Sequence, residues 1–179
     1  MNPRIITGTA KNHKLKVAES SRPITDRIKQ SVFDTLGERV KDATILDLFA
    51  GSGSIGIEAL SRGAKFATFV EQNRDADLIL KENIIHTGFK DQAIAWRKEA
   101  SDFLKDIREK YDLIFVDPPF VIAHEFPAYL LLKVMNPETL VIFRKPTKSP
   151  DPQIPVSLKV IYRQTYGESE VLYIQRAEA

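Results

Sequence analysis

Apolar residues fall into five short runs: Ala43-Thr44-Ile45-Leu46, Phe66-Ala67-Thr68-Phe69-Val70, Ala93-Ile94-Ala95-Trp96, Leu113-Ile114-Phe115-Val116 and Leu140-Val141-Ile142-Phe143. They recur at roughly regular intervals. Each is short enough for a strand and apolar at successive positions, as expected of a strand buried on both faces. Between them the spacing turns helical, over Ile55 to Leu60, Ala76 to Ile85 and Phe103 to Ile107. Strands alternating with helices predict an α/β fold: a doubly wound, mostly parallel sheet covered by helices on each side.

The flanks have other rhythms. Short alternating stretches from Arg4 to Val17, around Gly8 and Asn12, predict a small amino-terminal β-hairpin with polar turns. Thr25 or Asp26 can cap a helix in which Ile28, Val32, Phe33 and Leu36 share a face, and Gly37 supplies its stop. Near the end, Leu158 to Tyr162 and Val171 to Ile174, separated by a turn at Gly167, predict an antiparallel terminal hairpin at the sheet edge. Pro146 to Pro155 reads as a surface loop.

A length of 179 residues with 43% hydrophobic content suits one domain over 1–179, with an arm at 1–24 and a catalytic core at 25–179. The absence of cysteine excludes a disulfide framework and a thiolate nucleophile. His13, His86 and His124 are scattered, so no metal is expected. No apolar stretch approaches the ~20 residues that span a bilayer, and no secretory pattern opens the chain. A cytoplasmic protein without membrane contact is the expectation. Net charge is only +2, yet Met1 to Ser31 carries seven Lys or Arg against two acids, which leaves the remainder net acidic. Arg4, Lys11, Lys14, Lys16 and Arg22 are thereby candidates for phosphate contacts, or else a solvated face.

Asp47-Leu48-Phe49-Ala50-Gly51-Ser52-Gly53-Ser54-Ile55-Gly56 leaves the first strand and enters a helix, where glycines let backbone approach a ligand. Gly51, Gly53 and Gly56 also fit a dinucleotide fingerprint, with acidic Glu71 at about the expected distance downstream. Asp47 discriminates. A carboxylate beside the loop repels a pyrophosphate, whereas it attracts the ammonium of a methionine moiety or a sulfonium. The loop therefore favours S-adenosylmethionine over NAD, with Asp47, Phe49, Ala50, Gly51, Ser52 and Gly53 as its contacts. Glu71, followed by Gln72, can accept from both ribose hydroxyls. Glu99-Ala100 is placed to meet the adenine amine, although Glu99 equally suits a helix start.

Val116-Asp117-Pro118-Pro119-Phe120 is the most specific feature. Two prolines remove two backbone donors, so the chain must leave the sheet at its carboxyl edge, where open parallel sheets bind ligands. An exocyclic nucleobase amine is a poor nucleophile because its lone pair is delocalised into the ring. Acceptance of its N–H bonds by Asp117 and the Pro118 carbonyl orients it and stabilises the charge that develops on nitrogen. Phe120 offers a face on which an extruded base can stack.

These motifs in this order resemble the amino-methyltransferases with an Asn or Asp-Pro-Pro-aromatic tetrad, and among them the family that methylates guanine N2 in 16S ribosomal RNA. The resemblance covers nearly the whole chain. It includes Arg4-Ile5-Ile6-Thr7-Gly8, Lys14-Leu15, Arg22-Pro23-Ile24-Thr25-Asp26-Arg27-Ile28-Lys29, Ser31 to Phe33, the Asp47 to Gly56 loop, Asp117 to Phe120 and Tyr166-Gly167-Glu168. Thr7 and Asn12, where glycines are expected, and Glu99 for the usual Asp are departures. The resemblance implies a Rossmann-like S-adenosylmethionine-dependent methyltransferase fold, with Arg22 to Thr25 bordering the pocket and Asp117, Pro118, Pro119 and Phe120 holding the base. It also implies ribosomal RNA as partner, free or within a partly assembled small subunit. Adenine-N6 methylation of RNA or DNA, NAD-dependent oxidoreduction and a non-catalytic RNA-binding assembly factor are the competing readings.

Overall fold

The computed structural model describes residues 2–19 and 21–178. Its elements in chain order are α1 (Asp26–Leu36), β1 (Thr44–Leu48), α2 (Ser54–Ser61), β2 (Phe66–Val70), α3 (Arg74–His86), β3 (Ala93–Trp96), α4 (Ala100–Asp106), β4 (Tyr111–Val116), β5 (Met135–Pro146), β6 (Leu158–Tyr166) and β7 (Ser169–Arg176). The strands form one sheet in the order β3-β2-β1-β4-β5-β7-β6. β1 to β5 run parallel and β7 is antiparallel to both β5 and β6. The chain winds outward from β1 through β2 to β3, then returns to place β4 on the other side of β1. This reversal opens a crevice beyond the carboxyl ends of β1 and β4, the place where such sheets bind ligands.

Alternation along the strands builds two cores. In β4, Leu113 and Phe115 face one apolar cluster with α1, α2 and α3, while Ile114 and Val116 face another with α4. Both faces are covered, which is why the strands read as continuous apolar runs. Thr25 caps α1, its hydroxyl accepting from the Ile28 amide at 3.3 Å, and Gly37 ends that helix at φ +52°. The terminal hairpin turns at Gly167 and Glu168 and is longer than the apolar pattern suggested, because β6 is half-solvated and mixes polar residues among apolar ones.

The amino-terminal arm closes through a single bridge, Arg4 to Lys14, flanked by bonds such as Asn12 amide to Ile5 carbonyl at 2.8 Å. It is a docked loop more than a regular hairpin. Ile5, Ala10 and Leu15 are buried in the first core, and Gly8 lies so close to α2 that a Cβ there would sit 1.7 Å from the Ser61 carbonyl oxygen. Glu58, fully buried on α2, accepts from the Ile6 amide at 2.8 Å, the Thr7 amide at 3.1 Å and Arg62 Nε at 2.8 Å. Ser61 Oγ accepts from the Ala10 amide at 2.9 Å and donates to the Thr7 carbonyl at 2.6 Å. A Ser61→Ala variant leaves both arm groups unpaired and is expected to lose about 1–3 kcal/mol. Denaturant unfolding reads this as a lowered midpoint, and an unchanged midpoint would show that the arm is not anchored there.

Candidate active site

The turn after β1 is built from unusual backbone. Phe49, Gly51 and Gly53 all have positive φ, at 60°, 55° and 84°. Phe49 is the telling member, because an aromatic residue in this region is strained and such strain collects where a loop is held for a ligand. The Ala50 amide bonds the Val70 carbonyl at 3.0 Å, and the Gly51 amide bonds Glu71 Oε2 at 2.8 Å. Glu71 Oε1 accepts from the Asn73 amide at 2.9 Å. Each Glu71 oxygen still has a lone pair for a ribose hydroxyl. At Gly56 a Cβ would sit 2.3 Å from the Phe69 ring, so only glycine lets α2 pack this closely on the sheet.

Asp47 is buried and accepts from the Gly56 amide at 3.0 Å. Burial pushes its carboxyl up to about 8, the Gly56 bond opposes this, and repulsion from Asp117 and Glu71 adds to it. A buried acid with no cation partner among the described residues, on the wall of a cleft, fits the ammonium or sulfonium of S-adenosylmethionine.

That cleft has a volume of about 650 Å³, within the range for small-molecule sites. Asp47, Phe49, Ala50, Gly51, Ser52, Glu71 and Gln72 line one part, and Asp117, Pro118, Pro119 and Phe120 line another. Ala18, Ser21, Arg22, Pro23 and Ile24 complete it from the end of the arm. Thr25 and Gly53 are not on its wall: Thr25 serves as the cap of α1 and Gly53 as the start of α2. Glu99 and Ala100 are also away from it. Glu99 caps α4, accepting from the Asp102 amide at 3.0 Å, and Ala100 is packed in the second core. The helix-start role of Glu99 is the one the structure shows.

Of the arm's bases, Arg4 pairs with Asp26 at 3.3 Å and Lys16 with Glu82 at 2.8 Å. Lys11, Lys14 and Arg22 are exposed and make no ion pair among the described residues. Also among them, no group of three potential ligand side chains is gathered for a metal, and no helix is long and apolar enough to cross a membrane.

Arg144 on β5 is the residue the sequence reading missed. Its Nε donates to Asp117 Oδ1 at 2.8 Å and its Nη2 to Asp117 Oδ2 at 2.9 Å. Its Cζ lies 5.0 Å from the Phe120 ring centroid. Burial raises the Asp117 carboxyl above the usual range, and Arg144 offsets only part of that rise. A signal was available. Val116 pairs with Phe143, so Asp117, just past the end of β4, comes beside Arg144, where β5 runs on to pair with β7.

A family model described as conserved hypothetical protein 95 matches residues 3–175. The chain belongs to that family. It is 40% identical over 119 residues to ribosomal RNA small subunit methyltransferase D of Buchnera aphidicola, an alignment covering 65% of this chain and 62% of the relative. The chain thus spans somewhat less than two thirds of that relative. A putative rRNA methyltransferase of Bacillus subtilis, YlbH, is 31% identical across 92% of this chain and 94% of its own length. Among solved structures, the putative methyltransferase yhhF of Escherichia coli superposes with a TM-score of 0.86 at 30% identity, covering 98% of each chain. Family and Rossmann-like methyltransferase fold are therefore shared with these proteins.

Proposed function

We propose that this chain is an S-adenosylmethionine-dependent methyltransferase that acts on the exocyclic N2 amine of a guanine in small-subunit (16S) ribosomal RNA. The observation that carries the reading is the convergence, in one cleft, of Asp47 and Glu71 with the Asp117-Pro118-Pro119-Phe120 tetrad. The family relatives named for small-subunit RNA methylation support the substrate class. In this reading Asp47 faces the cationic end of the cofactor, Glu71 accepts from the ribose, and the Phe49 to Ser52 turn holds the chain between them. The cofactor supplies the electrophilic methyl group. Asp117 and the Pro118 carbonyl accept the amine N–H bonds and so orient the nitrogen lone pair, while Phe120 stacks on the base. We take the chain as one catalytic unit acting in the cytoplasm, on free RNA or a partly assembled subunit.

The product tests this. Labelled cofactor and protein are incubated separately with ribosomal RNA, partly assembled small subunits and DNA, and nucleosides are analysed by mass spectrometry. N2-methylguanosine is expected. N6-methyladenine would replace the guanine reading with the adenine one, and no methylated nucleoside on any substrate would leave a non-catalytic RNA-binding protein.

In the same reading Arg4, Lys11, Lys14, Lys16 and Arg22 meet phosphates, with Lys11, Lys14 and Arg22 the freest to do so. Neutralising Lys11, Lys14 and Lys16 together is expected to weaken RNA binding and flatten its salt dependence, because each lost contact removes released counterions. Filter binding across a salt series reads the slope. An unchanged slope would make the arm a solvated basic surface, and cofactor affinity should stay constant throughout.

A further inference from the structure

Arg144 does with its guanidinium the two things a target base is expected to do in this site. It donates through two nitrogens to both oxygens of Asp117, at 2.8 and 2.9 Å, and it lies over the Phe120 ring at 5.0 Å. We propose that Arg144 is an internal stand-in for the target guanine, filling the base subsite of the free protein and leaving when the base enters. The inference rests on the guanine reading above and deepens it.

The chemistry is that of matching donor forks. In Arg144 the fork is Nε and Nη2 on the shared carbon Cζ. Guanine carries the same nitrogen-carbon-nitrogen unit, N1–H and N2–H on C2, so it can replace the guanidinium on both carboxylate oxygens. Its second N2 hydrogen remains for the Pro118 carbonyl. Adenine has one amine beside a bare N1 lone pair, which would face the second Asp117 oxygen. Any incoming base must displace a bidentate partner. Guanine restores both bonds and adenine restores one, so guanine displaces the occupant more readily.

Its setting suits a displaceable group. Arg144 is about as exposed as Asp117, at 14% against 16% of the side chain, and both line the open cleft. Its third nitrogen donates to Ser169 Oγ, at 3.4 Å, and to no other side chain among the described residues. Glu168 lines the same cleft and is exposed, a carboxylate within the site for the released cation.

The test is equilibrium binding of guanosine and adenosine 5′-monophosphate, with S-adenosylhomocysteine present, to the wild type and to R144A. An internal competitor lowers the apparent affinity of every occupant of its subsite by the same factor, so R144A is expected to bind both nucleotides about tenfold more tightly than the wild type does, with the guanine nucleotide the tighter of the two. Methylguanidinium should reverse that gain in R144A and leave the wild type unaffected. R144Q serves in the same assay if R144A does not fold. Guanine nucleotide bound no more tightly by the variant than by the wild type, undetectable binding by both proteins included, overturns the proposal, as does a variant that binds the adenine nucleotide as tightly as the guanine one. Product analysis of the wild type separates the two levels. Methylated guanine with no affinity gain overturns the stand-in alone, whereas absence of methylated guanine overturns the reading beneath it.

Discussion

Changing Asp117 to Ala is expected to slow methyl transfer by about 10²–10³, the usual effect of removing one preorganised group that stabilises developing charge. The cause is the loss of the acceptor that orients the target amine and faces the positive charge growing on its nitrogen. Cofactor affinity should change far less, since the backbone bonds that hold Asp47, Glu71 and the strained Phe49 turn do not involve Asp117. The same change strips Arg144 of its carboxylate partner, so stability will fall too. Circular dichroism and calorimetry with S-adenosylhomocysteine on the same sample separate the two effects. Asp117→Asn keeps a carbonyl acceptor of similar size and should retain partial activity. A folded Asp117→Ala protein that methylates RNA at the wild-type rate would remove the tetrad from the active site.

Affinity for S-adenosylmethionine should climb as pH rises from 6 toward 8, by one to roughly two orders of magnitude, because the Asp47 carboxyl must ionise to face a cation. In the free protein burial holds this carboxyl at about 8, against an ordinary 3.8, so near neutrality it is largely protonated. The sign for stability follows. A raised folded value favours the folded state most below pH 4, and that contribution fades as pH rises through about 8. The stabilisation conferred by the cofactor should therefore be larger at pH 8 than at pH 6. Asp47→Asn ought to bind more weakly at pH 8 and lose the slope. A wild-type affinity that is flat across this interval would mean that Asp47 does not meet the ligand's charge.

Much of this site is written in local pattern, because Asp47, Glu71 and Asp117 sit at or just after the ends of apolar strands, where periodicity marks the boundary. Helix limits such as Thr25 and Gly37 are likewise local, set by one cap and one positive φ. What escaped needed partners distant in sequence. Arg144 acquires meaning only when β4 and β5 pair and bring it against Asp117, 27 residues earlier. Glu99 looked the same as a ligand contact or as a cap, and only the position of α4 decides. The stretch from Phe120 to Val134 lacks strand or helix rhythm and forms two 3-10 helices, whose tighter turn leaves a weak apolar signature. The arm's alternation predicted a small hairpin, yet its backbone amides at Ile6, Thr7 and Ala10 are taken by Glu58 and Ser61, side chains of α2 that no local pattern links to it.

A structure of the protein with S-adenosylhomocysteine tests the central assignment most directly, since it shows which end of the cleft each part of the cofactor occupies. The account predicts the amino acid end toward Asp47, the ribose hydroxyls on Glu71 and the sulfur directed at Asp117-Pro118-Pro119-Phe120. A nucleoside bound away from Glu71, or with its sulfur turned from the tetrad, would contradict it.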